Sequence, residues 1–290
     1  MNWRKPFLIL LLLNFCQAPV SAQGPGNKAQ WNSLQQNLSR ETRRFKGQAA
    51  ILIQDLQTGW QWEFQIEKPF PAASLIKLPI MAACFQAAQE GKIKLAQQVI
   101  LRSKYKVSGS GKLKAMPAGS SFTIEQLMEE MIAQSDNTAT NLLIDLVGID
   151  KLNGYFKRQG LTGTTLSRKM MDFSQRKQGV ENYTTVRDIT LLLREIYDQR
   201  LINPDVSARC LDFLKRQHLH DRIPARLPKG TVVAHKTGLE RGVCHDAGIV
   251  FTGKGNYLIC VLTRNGKMAA PAKKFIAQLS RLTYQYVTAQ

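Results

Sequence analysis

The chain predicts an α+β fold: a five-stranded antiparallel sheet flanked by helices from its two ends, with an all-helical insert between strands two and three. Three observations carry this prediction. Strand-like alternation appears in two early segments and three late ones, and the long stretch between them carries helical periodicity. An apolar content of 44% over 290 residues is enough for one large core or two modest ones. The sheet part is expected at about 23–70 and 229–290, and the helical insert at about 71–228.

Residues 1–22 read as a removable address. Arg4 and Lys5 form a charged n-region, Phe7 to Leu13 an apolar h-region, and Val20-Ser-Ala22 a small-residue cleavage site. The apolar run is too short for a stable membrane anchor, and no later stretch is long and apolar enough to span a bilayer. Cys16 follows the bulky Phe15, which argues against lipid attachment. A periplasmic or secreted location follows, after cleavage near Ala22.

The elements then come in order. Trp31, Leu34 and Leu38 give residues 29–45 one apolar face, so a first amphipathic helix is expected. Residues 49–56 and the alternating Trp60-Gln-Trp-Glu-Phe-Gln-Ile66 form two strands around a Gln57-Thr-Gly59 turn. Pro69 and Pro71 end the second strand. An apolar run then extends from Leu75 to Ala87, apolar on every side, as befits a buried central helix. Pro79 predicts a small irregularity just past Lys77. Residues 96–122 read as loop around the Gly-rich Val107-Ser-Gly-Ser-Gly111. Thr123 opens a helix with apolar residues at 124, 127, 128, 131 and 132, and a second helix follows from Ala139 to Val147. Between them Ser135-Asp-Asn137 lies on a tight junction, with Asp136 or Asn137 as N-cap. Helix, an irregular stretch at 167–182, and helix again occupy 150–200. Residues 223–228 read as a linker. Strands at 231–238, 244–251 and 257–263 and a last amphipathic helix at 271–287 complete the chain.

The formal net charge is +19. Its lysines and arginines are spread along the chain, without zinc-ligand spacing or an aromatic-interleaved basic motif, so no nucleic-acid partner is expected. Attraction to an anionic envelope surface is the more economical reading of that charge. Export permits disulfides, yet a domain of this size does not need them. Cys84 and Cys260 sit in apolar runs as small hydrophobes, and no pairing among Cys84, Cys210, Cys244 and Cys260 can be assigned.

Ser74 and Lys77 stand three residues apart at the start of the central apolar run. On a helix they share a face, so an amine can meet a hydroxyl. Serine is a poor nucleophile until a base takes its proton, and lysine serves as that base when burial or nearby positive charge lowers its pKa. The same spacing at Ser103/Lys106 and Ser174/Lys177 lies in polar surroundings that read as solvated loop. Two further triplets, Ser135-Asp-Asn137 and Lys236-Thr-Gly238, each occur once.

With its S-x-x-K, S-D-N and K-T-G elements in this order, the sequence resembles the class A β-lactamases and related penicillin-recognising serine enzymes. The resemblance covers nearly the whole mature chain, including 107–111, 135–143 and 223–238. It implies the β-lactamase/transpeptidase-like fold, no metal and no cofactor, and a monomer acting on a β-lactam or cell-wall peptide. It further implies that Ser74 is acylated with help from Lys77, while Ser135 passes a proton to the leaving nitrogen. Asn137 would hold the substrate amide, and Lys236, Thr237 and Gly238 would form the wall that binds its carboxylate. The N–H groups of Ser74 and Leu239 would make the oxyanion hole.

One departure stands out. Class A enzymes carry a Glu-x-x-x-Asn element ahead of a Thr-Thr pair, and that Glu activates the water that clears the acyl group. Counting back from Thr184-Thr185 without gaps, the Glu position falls on Met170. Asp172 and Glu181 are the acids left in the loop as bases for deacylation, and neither has an Asn at the family's spacing. Acylation followed by slow deacylation is the expectation. Two alternatives stay open: a D-alanyl-peptidase-like penicillin-binding enzyme, and a non-catalytic envelope-binding module.

Overall fold

In the computed structural model the described residues are 27–266 and 268–289. The expected leader at 1–22 therefore lies outside the described residues. Helix α1 (Lys28–Arg44) starts on the side chain of Asn27 and buries Trp31, Leu34 and Leu38. It leads into β1 (Gln48–Asp55) and β2 (Gln61–Phe64). A two-residue β3 (Phe70–Pro71) precedes a single 3-10 turn, Ala73–Ile76, that carries Ser74 and runs straight into α2 (Lys77–Gln89).

Pro79 is the third residue of α2 and causes no break. The first four N–H groups of a helix have no intrahelical acceptor, so the missing donor costs nothing there. The irregularity expected after Lys77 instead precedes it, in the 3-10 turn, where Ala73 has φ +44°.

The expected loop at 96–122 contains a short ribbon, β4 (Gln98–Ile100) paired with β5 (Ser121–Thr123). Helix α3 (Ile124–Ala133) opens on a capping box between Thr123 and Gln126. Helices α4 (Asn137–Val147) and α5 (Ile149–Arg158) follow. The irregular stretch carries a five-residue α6 (Phe173–Lys177) and ends in β6 (Tyr183–Thr184), which pairs with β3. Helices α7 (Val186–Tyr197) and α8 (Pro204–Lys215) complete the insert. The expected linker is a 3-10 turn, Ile223–Arg226, whose Ile223 is buried against the terminal-helix core.

Strands β7 (Val232–Glu240), β8 (Val243–Phe251) and β9 (Asn256–Arg264) and helix α9 (Ala270–Thr288) end the chain. The sheet order is β2-β1-β9-β8-β7 and its neighbours are antiparallel. Both faces are covered, which is why the central strands read as continuous apolar runs. On β9, Leu258, Cys260 and Leu262 join the core under the helical insert, while Tyr257, Ile259 and Val261 join the core under α1 and α9. Successive side chains point to opposite faces, so one strand feeds two cores. Cys84, Cys210, Cys244 and Cys260 are all buried and unpaired.

Candidate active site

Three segments converge from rigid elements. Helix α2 is apolar on every side and its first residue, Lys77, is fully buried. A buried ammonium needs partners, and Lys77 Nζ finds three at the α3–α4 junction: Ser135 O at 2.6 Å, Asn137 Oδ1 at 2.8 Å and Ser135 Oγ at 3.2 Å. From β7, Lys236 Nζ reaches the same Ser135 Oγ at 2.9 Å and Thr237 O at 3.0 Å. Ser135 thus stands between two lysines, with φ +51°, a conformation that costs a non-glycine residue about 1–3 kcal/mol.

Burial, reinforced by the charge of Lys236, pushes the Lys77 pKa well below its ordinary value. Burial also lowers Lys236, to about 7, with Arg222 pushing the same way and Asp246 opposing it. Hydrogen-bond capacity agrees with a neutral Lys77 beside a charged Lys236. A neutral amine has two N–H groups for Ser135 O and Asn137 Oδ1, plus a lone pair that can accept the Ser135 hydroxyl proton. The Lys236 ammonium then donates to Ser135 Oγ. Among the described residues Ser74 Oγ has no hydrogen-bond partner, and the Lys77 amine that sequence spacing placed beside it is turned to Ser135 and Asn137.

The junction is held from outside by the Gly-rich loop. Asp136 caps α4 by accepting from Ala139 N and also accepts from Leu113 N at 2.8 Å. Ser110 O accepts from Asn137 N, and Ser108 O accepts from Asn137 Nδ2. Gly111 has φ +101°, and a Cβ there would stand 2.1 Å from an Asp136 carboxylate oxygen, so this approach requires glycine.

The strand wall carries Lys236, Thr237, Gly238 and Leu239 in register with Ala247, Asp246, His245 and Cys244 of β8. His245 accepts from Thr263 N through Nδ1 at 3.0 Å, so its proton is on Nε2, which donates to Pro71 O at 2.8 Å. Burial pushes its pKa down to about 4. This neutral ring therefore ties β8 to the turn that presents Ser74. A Cβ on Gly238 would press on both His245 and Ala73 at 3.3–3.4 Å.

The loop wall is built differently. Met170 is buried, and the side-chain amide of Asn141 brackets its peptide: Oδ1 accepts from Met170 N at 2.8 Å and Nδ2 donates to Met170 O at 3.1 Å. Asp172 caps α6, accepting from Gln175 N at 3.1 Å. Glu181 is held by Arg168 at 2.7 Å and Arg176 at 3.4 Å. The same two arginines reach Glu240 at the end of β7, at 3.1 and 3.5 Å. Asn182 accepts from Ser167 N and Arg168 N, and its own carbonyl accepts from Ala72 N at 2.7 Å. The structure thus brings Ser135 and Asn137 onto Lys77 and Lys236 onto Ser135, while Asp172 and Glu181 are occupied by loop partners. Asn141, His245 and the Arg168 cluster went unread in the sequence. Only Asn141 left a signal, lying four residues after Asn137 and so on the same helix face.

A sequence profile described as the β-lactamase enzyme family matches residues 33–287. The chain belongs to this family. It is 25% identical to the extended-spectrum β-lactamase PER-1 of Pseudomonas aeruginosa over 292 residues, which spans 96% of this chain and 92% of the relative. With β-lactamase VEB-1 of the same organism it shares 24% over 235 residues, or 75% of this chain and 78% of the relative. Among solved structures, PBP-A is 31% identical with a TM-score of 0.81, covering 89% of this chain and 97% of that one. A β-lactamase of Sphaerobacter thermophilus is 29% identical with a TM-score of 0.80, covering 90% and 98%. A single-residue variant of PBP-A forms an acyl-enzyme complex with penicillin G. Family and fold together make the chain a class A β-lactamase-like hydrolase.

Proposed function

We propose that the protein is an exported serine enzyme that opens β-lactams through an acyl-Ser74 intermediate and clears that intermediate slowly. Lys77 takes the Ser74 proton as the hydroxyl attacks the lactam carbonyl, and the oxyanion forms against the N–H groups of Ser74 and Leu239. Ser135 hands a proton to the departing nitrogen and is resupplied by Lys77. Lys236 and Thr237 take the substrate carboxylate, and Asn137 takes its amide. Hydrolysis of the ester then needs a water with a base within hydrogen-bond reach.

The observation that carries the slow step is the pairing of Asn141 with the Met170 peptide, which fills the expected base position with a thioether. Asp172 is committed to a helix cap and Glu181 to two arginines. Stopped-flow hydrolysis of a chromogenic cephalosporin tests this reading. A burst equal to the enzyme concentration is expected, followed by a slow steady state. Linear fast turnover that disappears in Asp172→Asn or Glu181→Gln would overturn it and name the base.

A second reading, a penicillin-binding enzyme acting on D-alanyl peptides, draws support from the 31% identity to PBP-A over most of the chain. A cell-wall D-alanyl peptide turned over faster than any β-lactam would favour it. The network of Lys77, Ser135 and Lys236 argues against a purely structural module, because two buried amines on one hydroxyl are costly to keep without a use. Export rests on the sequence pattern of residues 1–22, and amino-terminal sequencing of the secreted protein tests cleavage after Ala22.

A further inference from the structure

A cavity of about 350 Å³ opens between the far end of α2, the end of α5 and the turn from α7 to α8. Buried Leu161, Leu192 and Leu201 line it, together with Ile202 and the amides of Gln86 and Gln159. Gln86 lies nine residues beyond Lys77 on α2, about 13 Å along the helix axis. The cavity is therefore separate from the amines that meet around Ser135.

Two features mark this cavity. Gln159 follows the last residue of α5, and its backbone N–H still closes the helix on Tyr155 O at 3.0 Å. Its side-chain Nε2 and Oε1 are both buried, and among the described residues neither has a hydrogen-bond partner. A buried amide left unpaired at both ends is costly and needs an explanation. The second feature is the turn that closes the cavity. Arg200 N and Leu201 N both donate to Glu195 O, at 2.9 and 3.1 Å, and this tight winding leaves Gln199 at φ +59° and Ile202 at φ +65°. A β-branched residue in the left-handed region is an outlier, and strain of this kind concentrates at ligand sites.

We propose that this cavity is a second binding site, for a small neutral carboxamide with an apolar body. The Gln159 amide offers a donor and an acceptor side by side. A carboxamide presents the same pair in reverse, so the two close a ring of two hydrogen bonds while the leucines take the apolar body. A leucine-lined cavity of about 150 Å³ holds benzene, so this one has room for an aromatic ring and its amide. The charges at the rim decide against an anion. Arg200 meets Glu195 at 3.2 Å and Asp198 at 2.7 Å, and Arg194 meets Asp198 at 2.7 Å, so two arginines are balanced by two carboxylates. The other amide, Gln86, is spent on Glu90 Oε1 at 3.1 Å. Gln159 is left as the group that selects the ligand.

Benzamide is the probe. The full-length protein, 13C-labelled at its leucine methyl groups, would be titrated by NMR with benzamide, benzoate and ethylbenzene. Leu161→Ile and Leu192→Ile would assign two signals from the cavity lining. Benzamide is expected to move both signals saturably with a Kd of about 1 mM, ordinary for a ligand of its size. Ethylbenzene leaves the Gln159 amide unpaired and benzoate brings an unmatched charge, so each should bind roughly tenfold or more weakly. Gln159→Met keeps the length of the side chain without its amide. It should weaken benzamide roughly tenfold and leave ethylbenzene binding intact, which a collapsed cavity would not do. No saturable shift at the two leucines, benzamide no tighter than either other probe, or undiminished benzamide binding in Gln159→Met would overturn the inference. Should Gln159→Met fail to fold or bind neither neutral probe, the order of the three probes on the parent decides alone. A protein that penicillin never labels would sink the proposed function and leave this site standing.

Discussion

The two walls of the site use charge in opposite ways. On the wall formed by α2, the α3–α4 junction and β7, two buried lysines converge on one serine hydroxyl, and burial pushes the pKa of both below the ordinary lysine value. On the loop wall, acidic groups are numerous but each is spent on structure. Asp172 closes a helix end, while Glu181 and Glu240 share two arginines. The first wall keeps chemical capacity because its two amines are buried against neutral oxygens, with no carboxylate among the described residues hydrogen-bonded to either. The second has none to spare because its carboxylates are fully paired.

Breaking the first wall should give the largest effect. Lys77→Ala is expected to slow acylation by a labelled penicillin roughly 10²–10⁴-fold, the range for losing a positioned base. Intact mass against time reads the rate, and acylation within a few-fold of the parent would point to another base.

Giving the loop wall a free carboxylate should act next. Met170→Glu places an acid where Asn141 already grips the peptide, and loss of the acyl group should accelerate by roughly 10²-fold or more. An acyl lifetime unchanged in this variant would mean that something other than the missing base limits deacylation.

Arg168 sharpens the contrast through stability. Its side chain is 2% exposed between two carboxylates, so Arg168→Ala leaves Glu181 and Glu240 with only the longer contacts of Arg176. A loss of about 3 kcal/mol is expected in urea unfolding, with acylation little changed. If acylation collapsed as well, the loop would have to be shaping the first wall.

The His245 tie between β8 and Pro71 predicts a pH dependence. Its folded pKa of about 4 lies below the unfolded value of 6.5, so the unfolded chain binds the proton more readily. The stability it contributes is present above 6.5 and fades as pH falls toward 4, by up to about 3 kcal/mol. Melting temperatures of parent and His245→Asn should converge through that window, and a constant gap between them would assign the tie another cause. The smallest effect belongs to Asp172→Ala, which should cost about 1 kcal/mol as a lost cap and leave acyl lifetime alone. A lengthened lifetime would make Asp172 the base after all.

Sequence by itself determined what local chemistry dictates. Alternation and 3.6-residue periodicity placed the five strands and the helical insert, because both patterns report which face of an element is buried. Three short motifs named the residues that meet around Ser135. Tertiary structure decided how those residues share protons, since Lys77 chooses Ser135 and Asn137 over Ser74 only once α2 and α4 are packed together. It also decided that Glu181 is unavailable, because its arginines come from 13 residues back and 5 residues back along a folded loop whose other anchor is Glu240 on β7. The same holds for His235, Asp246 and Arg222: His235 meets Asp246 at 2.9 Å, Asp246 accepts from Ile223 N, and Arg222 just before it donates to Cys244. Strand register and a distant turn bring these three groups together, and neither leaves a periodic trace in the chain.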